Sequence, residues 1–211
     1  MSNGCVALIL AGGENSRADS YRNGAPKCIL PLGDGRSILN HLVDALLLHD
    51  IHPIVLGVEA AQVSGIDLDV LSDPKEPGII AALTGAAKYL NHRRDTRILV
   101  CYGDTFLPWF PYIDACVPGT LTVAGSYPNR GNVAMGVEGA RYGRDLASKD
   151  WIEAGATCLS PQMLAEVSRF DSWPEYLAFR PWGRVCFHHG RVINVGDRHS
   201  YEEAKQWQPR N

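Results

Sequence analysis

The chain has little net charge, no paired cysteine motif and no long apolar run, and each shortage removes a class of protein. Its 23 acidic residues nearly balance 20 Lys and Arg, giving a formal charge of -3. The two signs are interspersed, so no basic face is offered to a nucleic-acid groove, and any affinity for phosphate has to be local. The six cysteines, Cys5, Cys28, Cys101, Cys116, Cys158 and Cys186, show no Cys-x-x-Cys spacing. Several sit inside apolar runs, where a free thiol behaves as a small hydrophobe; a structural zinc is not expected, and a reducing, cytoplasmic setting is. No stretch approaches the roughly 20 apolar residues of a membrane span, and no basic segment followed by a long apolar one opens the chain. Repeats, low-complexity tracts and linkers are also missing. With 211 residues and 45% apolar content, one domain over residues 1–211 around one substantial core is the expectation.

Two familiar glycine signatures are absent as well: there is no Gly-x-Gly-x-x-Gly, and no Gly-Lys-Ser/Thr closes a loop. What stands in their place is the segment from Ala7 to Lys27. An apolar run, Val6 to Leu10, breaks into Ala11-Gly12-Gly13, and Arg17 and Lys27 follow. A buried strand, a loop whose amides can approach an anion, and two cations are the parts that polyphosphate chemistry requires. An ordinary strand-to-loop turn with two surface charges is the alternative.

Strand-like and helix-like stretches alternate in the first half, which predicts an α/β fold with a mostly parallel sheet covered on both faces. Strands are expected at Val6–Leu10, Ile54–Val58, Asp69–Leu71 and Ile98–Tyr102. A helix is expected over Ser37–His49, with Ser37 as its cap and Ile38, Leu42, Ala45, Leu46 and Leu48 on its buried side, and another over Gly78–Leu90. Further on, Thr120–Gly125, Asn132–Val137, Trp151–Ala156 and Arg184–Val195 read as strands, the last with a hairpin turn at His189-Gly190. Pro161–Val167 and Ser200–Trp207 read as helices, and Ala140–Asp150 as a polar loop over the site. His188 and His189 are adjacent in a strand, so they point to opposite faces and read as a hairpin edge instead of a metal pair. Trp173, Trp182 and Trp207 are expected in packing or on a docking surface. Open parallel sheets bind ligands beyond the carboxyl ends of their strands, where both the glycine loop and Gly103-Asp104 fall.

The order strand, Leu10-Ala11-Gly12-Gly13, Arg17, Pro26-Lys27, Leu30-Pro31-Leu32-Gly33, then a helix from Ser37, resembles the N-terminal signature of the sugar-1-phosphate nucleotidyltransferases, or NDP-sugar pyrophosphorylases. The resemblance implies a Rossmann-like, mostly parallel mixed sheet of nucleotide-diphospho-sugar transferase type. It implies condensation of an NTP with a hexose or heptose 1-phosphate to give an NDP-sugar and pyrophosphate, with Mg2+ as cofactor. Arg17 would hold the β- and γ-phosphates and Lys27 the α-phosphate. Leu10, Ala11, Gly12, Gly13, Gly78 and Gly103 would surround the nucleotide. Asp104, delivered from the end of a buried strand by Gly103, matches the family's metal-binding motif. The second metal ligand is usually the Asp of Asp-x-Gly; here the segment reads Asn194-Val195-Gly196, with Asn194 as ligand or Asp197 compensating, and turn residues as the alternative for both. Trp151-Ile152-Glu153-Ala154-Gly155 matches the strand that faces the acceptor, so Glu153 would orient acceptor hydroxyls and Arg144 or Lys149 would grip its phosphate. Two departures bear on base recognition: the usual Gly-Thr-x-Gly reads Gly78-Ile79-Ile80-Ala81, and Asn15-Ser16 replaces the third glycine of the first loop.

The implied partners are an NTP and a sugar 1-phosphate, with no nucleic acid and no membrane, and a homodimer is admissible. Three rivals stay open. A non-sugar phosphate or phosphonate acceptor would use the same machinery. A glycosyltransferase usually carries Asp-x-Asp, whereas position 106 here is Phe, and it lacks the Arg17 and Lys27 pair. A non-catalytic nucleotide-binding module would bind NTP without releasing pyrophosphate.

Overall fold

The structure is a computed structural model, and it describes residues 4–12, 25–57, 68–71, 78–91, 96–125, 132–136, 139–143 and 151–208. Strand β1 (Cys5–Leu10) lies between β4 (Arg97–Tyr102) and β2 (His52–Leu56), with β3 (Asp69–Leu71) beyond β2, and all four run parallel. Ala7 and Ile9 of β1 face one core while Val6 and Leu8 face the other. Burial on both faces is why this strand reads as a continuous apolar run and not as an alternation.

Past β4 the order continues through β9 (Trp151–Leu159) and β6 (Thr120–Gly125) to β10 (Arg184–His188). β9 is antiparallel to both neighbours, and β10 is parallel to β6. β7 (Asn132–Gly136) and β8 (Gly139–Gly143) form a hairpin that attaches to β9 through Asn132 and Ile152. Separate from this sheet, β5 (Thr105–Phe106) pairs antiparallel with β11 (Ile193–Asn194). The Rossmann-like mixed sheet expected from the sequence is therefore what forms.

Helices cover both faces. α1 (Ile38–Leu47), α3 (Tyr112–Ala115) and α6 (Arg198–Ala204) pack on one, and α2 (Ile79–Leu90), α4 (Pro161–Glu166) and α5 (Trp173–Phe179) on the other. α1 starts where the sequence predicts: Ser37 Oγ accepts from Asn40 N, and Asn40 Oδ1 accepts from Ser37 N at 3.1 Å, a reciprocal cap. Ile38, Leu42 and Leu46 are buried as their spacing requires. Leu48 is not; it is 81% exposed, because the helix ends at Leu47 and the chain turns away through Asp50 at φ 55.

Three further expectations are corrected. Arg184–Val195 is not a hairpin: Arg184–His188 pairs with β6 and Ile193–Asn194 with β5. Ala140 to Gly143, expected at the start of the Ala140–Asp150 loop, belong to strand Gly139–Gly143; residues 144–150 lie outside the described set. Of the two expectations for Trp173, Trp182 and Trp207, packing is the one that holds and the docking surface is dropped, since all three are buried. None of the described helices is long and apolar enough to cross a membrane.

The register between β6 and β9 slips between Leu121/Thr157 and Val123/Glu153. Gly155 sits in the slipped segment at φ +80, and its N–H donates to Glu153 Oε1 at 2.6 Å. A Cβ there would lie 2.5 Å from Tyr102 Cδ2. Gly155→Ala thus combines left-handed strain with displacement of a ring, and is expected to cost about 3 kcal/mol. Urea unfolding should show it as a lower midpoint at unchanged slope.

Candidate active site

Close backbone approaches shape the carboxyl edge of the sheet. Gly103, the residue after β4, donates its N–H to Leu10 O at 2.9 Å. A Cβ on it would stand 2.9 Å from that oxygen and 3.0 Å from Ala11 Cα, so only glycine lets the turn to Asp104 pass this close to the end of β1. Gly12 is needed for a similar reason. Its Cβ would fall 2.1 Å from Gly57 O, where the segments after β1 and β2 touch. The amides of Ala11 and Gly12 both donate to Leu56 O, at 2.9 and 3.1 Å. They are engaged by the neighbouring strand and do not face an anion, which corrects the expectation of free amides at these two positions. Gly13 and Arg17 lie outside the described residues, as do Arg144 and Lys149.

Lys27 opens a short 3-10 turn, Lys27–Ile29, directly after Pro26. Its Nζ donates to Gly196 O at 2.7 Å. Cys28 is buried beneath it; burial pushes that thiol up to about 12, and the Asp104 carboxylate adds in the same direction. Asp104 reaches the same turn by another route. Val195 N donates to Asp104 O at 3.0 Å, and Thr105 Oγ1 donates to Asp104 Oδ1 at 2.9 Å. Asn194 Nδ2 in turn donates to Thr105 Oγ1 at 2.8 Å, and Asn194 Oδ1 accepts from Gly196 N at 2.7 Å. Residues 194–196 therefore gather Lys27 and Asp104, a cation and an anion from distant parts of the chain.

Alongside lies a shallow open cleft, with Leu10, Gly12, Leu56 and Gly57 on the sheet side and Gly78 and Ile79 at the start of α2. Gly78 holds φ +122 at that helix start, with no atom near its missing Cβ, so its requirement is conformational. The lining is apolar, as the face of a nucleoside would need. Next across the sheet comes Tyr102, paired in register with Leu10, its OH accepting from Trp173 Nε1 at 2.7 Å. Glu153 follows on β9, 2% exposed and holding Gly155 N. Thr105, Tyr102 and Trp173 carry no motif. They enter the site only through pairing of elements remote in sequence.

Residues 7–118 match the model of the MobA-like NTP transferase domain. The chain belongs to this family. A search of the curated proteins finds none that matches the sequence. Solved structures agree on the fold. The inositol-1-phosphate CTP transferase from T. maritima superposes at a TM-score of 0.75 and 13% identity, over 95% of this chain and 93% of that one. A Bacillus anthracis protein assigned as a glucose-1-phosphate thymidylyltransferase, solved with sucrose, gives 0.76 and 16%, over 98% of both chains. The CTP:phosphocholine cytidylyltransferase from Streptococcus pneumoniae gives 0.74 and 12%, over 96% and 98%.

The second expected metal position lies outside the residues that match the family, and both of its candidates hold groups of their own turn. Asn194 turns its oxygen to Gly196 N. Asp197 is the N-cap of α6: Oδ1 accepts from Ser200 N at 2.8 Å and from Ser200 Oγ at 3.0 Å. The Ser200 amide, with His199 adding, holds its carboxyl below the usual range. Among the described residues no group of three or more His, Cys, Asp or Glu gathers to hold a metal. Asp104 remains as a hard oxygen donor, and one carboxylate completed by water and phosphate oxygens suits Mg2+, so the donor set fits that ion.

Removal of the cap by Asp197→Ala should lower stability by about 1 kcal/mol at neutral pH and leave divalent-ion affinity unchanged. Because the folded carboxyl is held below its ordinary 3.8, the stability difference from wild type is full above that pH. It closes as the pH falls through the folded value. Urea unfolding at several pH values and a Mn2+ titration check both statements.

Proposed function

We propose that the protein transfers a nucleotidyl group from an NTP to a sugar 1-phosphate, forming an NDP-sugar and pyrophosphate. The observation that carries this reading is the meeting of Lys27 and Asp104 at residues 194–196, beside an apolar cleft at the carboxyl edge. Two polyanions have to approach one another, and fixed charge of both signs at one edge answers that need.

An oxygen of the acceptor phosphate attacks the α-phosphorus, a new P–O bond forms, and the bond from that phosphorus to the bridging oxygen of the β-phosphate breaks. The electron pair leaves with pyrophosphate, so no protein nucleophile is required. Lys27, a compact point charge on a flexible stem, neutralises the α-phosphate as charge grows there. Its Nζ donates to the Gly196 carbonyl, which aims the stem at this turn. Asp104 would hold Mg2+, which supplies charge neutralisation between the phosphates. Glu153 orients acceptor hydroxyls, Arg17 grips the departing phosphates, and Arg144 or Lys149 grips the acceptor phosphate.

A non-sugar phosphate acceptor is the second reading, favoured by the likeness to a phosphocholine-using enzyme. Pyrophosphate release, followed by malachite green with coupled pyrophosphatase, separates the two when four NTPs are crossed with hexose and heptose 1-phosphates, phosphocholine and a phosphonate. Release with a sugar 1-phosphate is the expected result; release with phosphocholine or the phosphonate alone selects the second reading. EDTA should stop the reaction and excess Mg2+ restore it. Lys27→Ala and Asp104→Ala should each reduce kcat by about 10²- to 10⁴-fold, with far-UV circular dichroism unchanged. NTP binding without release would turn the assignment to a non-catalytic module.

A further inference from the structure

We propose that Asn194 and Thr105 are positioning residues that fix the Asp104 carboxylate, and that Asn194 is not itself a cation ligand. The inference rests on the nucleotidyl-transfer reading for what the fixed carboxylate does, but not for the geometry that fixes it.

The direction of every bond in the relay is set by chemistry. A backbone N–H only donates, so Gly196 N, 2.7 Å away, claims Asn194 Oδ1. That leaves the Nδ2 end to face Thr105 Oγ1 at 2.8 Å, where it can only donate. A hydroxyl has a single hydrogen, and with Oγ1 already accepting, that hydrogen goes to Asp104 Oδ1 at 2.9 Å. Asn194 is 7% exposed and Thr105 4%, so water does not readily substitute for either partner. The backbone repeats the constraint: Asn194 pairs in register with Thr105, and Val195 N donates to Asp104 O.

This arrangement explains why an amide occupies position 194. An aspartate there is acceptor-only. It would satisfy Gly196 N with one oxygen, but its other oxygen would compete for the Thr105 hydrogen and withdraw it from Asp104. Asn donates toward Thr105 while accepting from Gly196, so the negative charge at this turn stays on Asp104 and its orientation stays fixed.

The test compares Thr105→Val, Thr105→Ser, Asn194→Asp and wild type. Three readouts are used: Mn2+ affinity of the nucleotide-free protein by electron paramagnetic resonance, kcat and KM for NTP in pyrophosphate exchange, and the thermal midpoint. Thr105→Val, which keeps the shape and loses the hydroxyl, should lower kcat at least about tenfold and weaken Mn2+ about tenfold, with KM for NTP within about twofold. Thr105→Ser should restore both to within about threefold of wild type. A role in stability alone would move the midpoint without the split between kcat and KM or the rescue by Ser. Asn194→Asp should bind Mn2+ no more tightly than wild type and behave like Thr105→Val. Tighter Mn2+ binding by Asn194→Asp, or wild-type kcat and Mn2+ affinity in Thr105→Val, overturns the proposal. If wild type shows no exchange with any NTP, the nucleotidyl-transfer reading fails, and the Mn2+ arm decides the positioning role alone.

Discussion

The site depends on one short antiparallel contact, Thr105–Phe106 against Ile193–Asn194. Two residues on each side contribute little pairing on their own, and the partners stand 89 positions apart, so closing this ribbon costs chain entropy that local hydrogen bonds cannot offset. Aromatic packing supplies the difference. Phe106 meets Trp207 edge-on at 5.7 Å and stacks with His41 at 5.5 Å, while Trp207 meets His41 at 4.8 Å. The same C-terminal stretch grips the segment after Lys27: Tyr201 OH donates to Pro31 O at 3.1 Å, and a Cβ on Gly33 would lie 2.2 Å from Lys205 O. Residues 193–207 are therefore a buttress between the turn that carries Lys27 and the turn that carries Asp104.

Charge and shape are divided between neighbouring parts of this edge. The cleft at Leu10, Leu56 and Ile79 presents apolar side chains and glycine backbone, which suits a flat nucleoside without reading its edge by charged groups. The ionic work is concentrated a strand away, at Lys27 and Asp104, in a chain whose overall balance is slightly acidic. A protein with almost no net field gains no long-range attraction for NTP, so affinity has to come from contacts within the site. The Gly196 carbonyl accepts from Lys27 and the Thr105 hydroxyl donates to Asp104, so each charged group is oriented by a neutral group of the same turn.

What the sequence made legible was local. The run Val6–Leu10, the cap at Ser37 and the step from a buried strand into Gly103-Asp104 each declare themselves within a few residues, and the structure places all three where they were expected. The β5 and β11 ribbon did not, because strands of two residues have no periodicity to detect. Thr105 stayed invisible for the same reason: a threonine after an aspartate means nothing until β11 is laid beside it. Gly12 was read as freeing amides for an anion, whereas its amide serves Leu56 O and its missing Cβ makes room for Gly57. Asp197 could also be read locally, as the turn residue that was its alternative. Asp-x-x-Ser before a helix is a capping pattern, and Asp197 Oδ1 accepts from Ser200 N as that pattern predicts.

The two faces of the sheet also separate chemistry from recognition. Cys28, Phe106, Ile193 and Val195, which carry Lys27, Asp104 and Asn194 on their flanks, all pack into the core on the α1 side. Leu10, Ile79 and Tyr102 pack against the α2 and α5 side, with Tyr102 held by Trp173 and laid over Gly155. Trp173 stacks on Tyr176 at 5.2 Å, so the wall behind Tyr102 is rigid. Changes in the bulge at Gly155, in Tyr102 or in Trp173 would alter the shape beside the cleft without disturbing the hydrogen bonds that hold Lys27 or Asp104. The turns that hold Lys27 and Asp104 and the surface around Tyr102 are thus braced by different cores, so a change of packing behind one need not move the other.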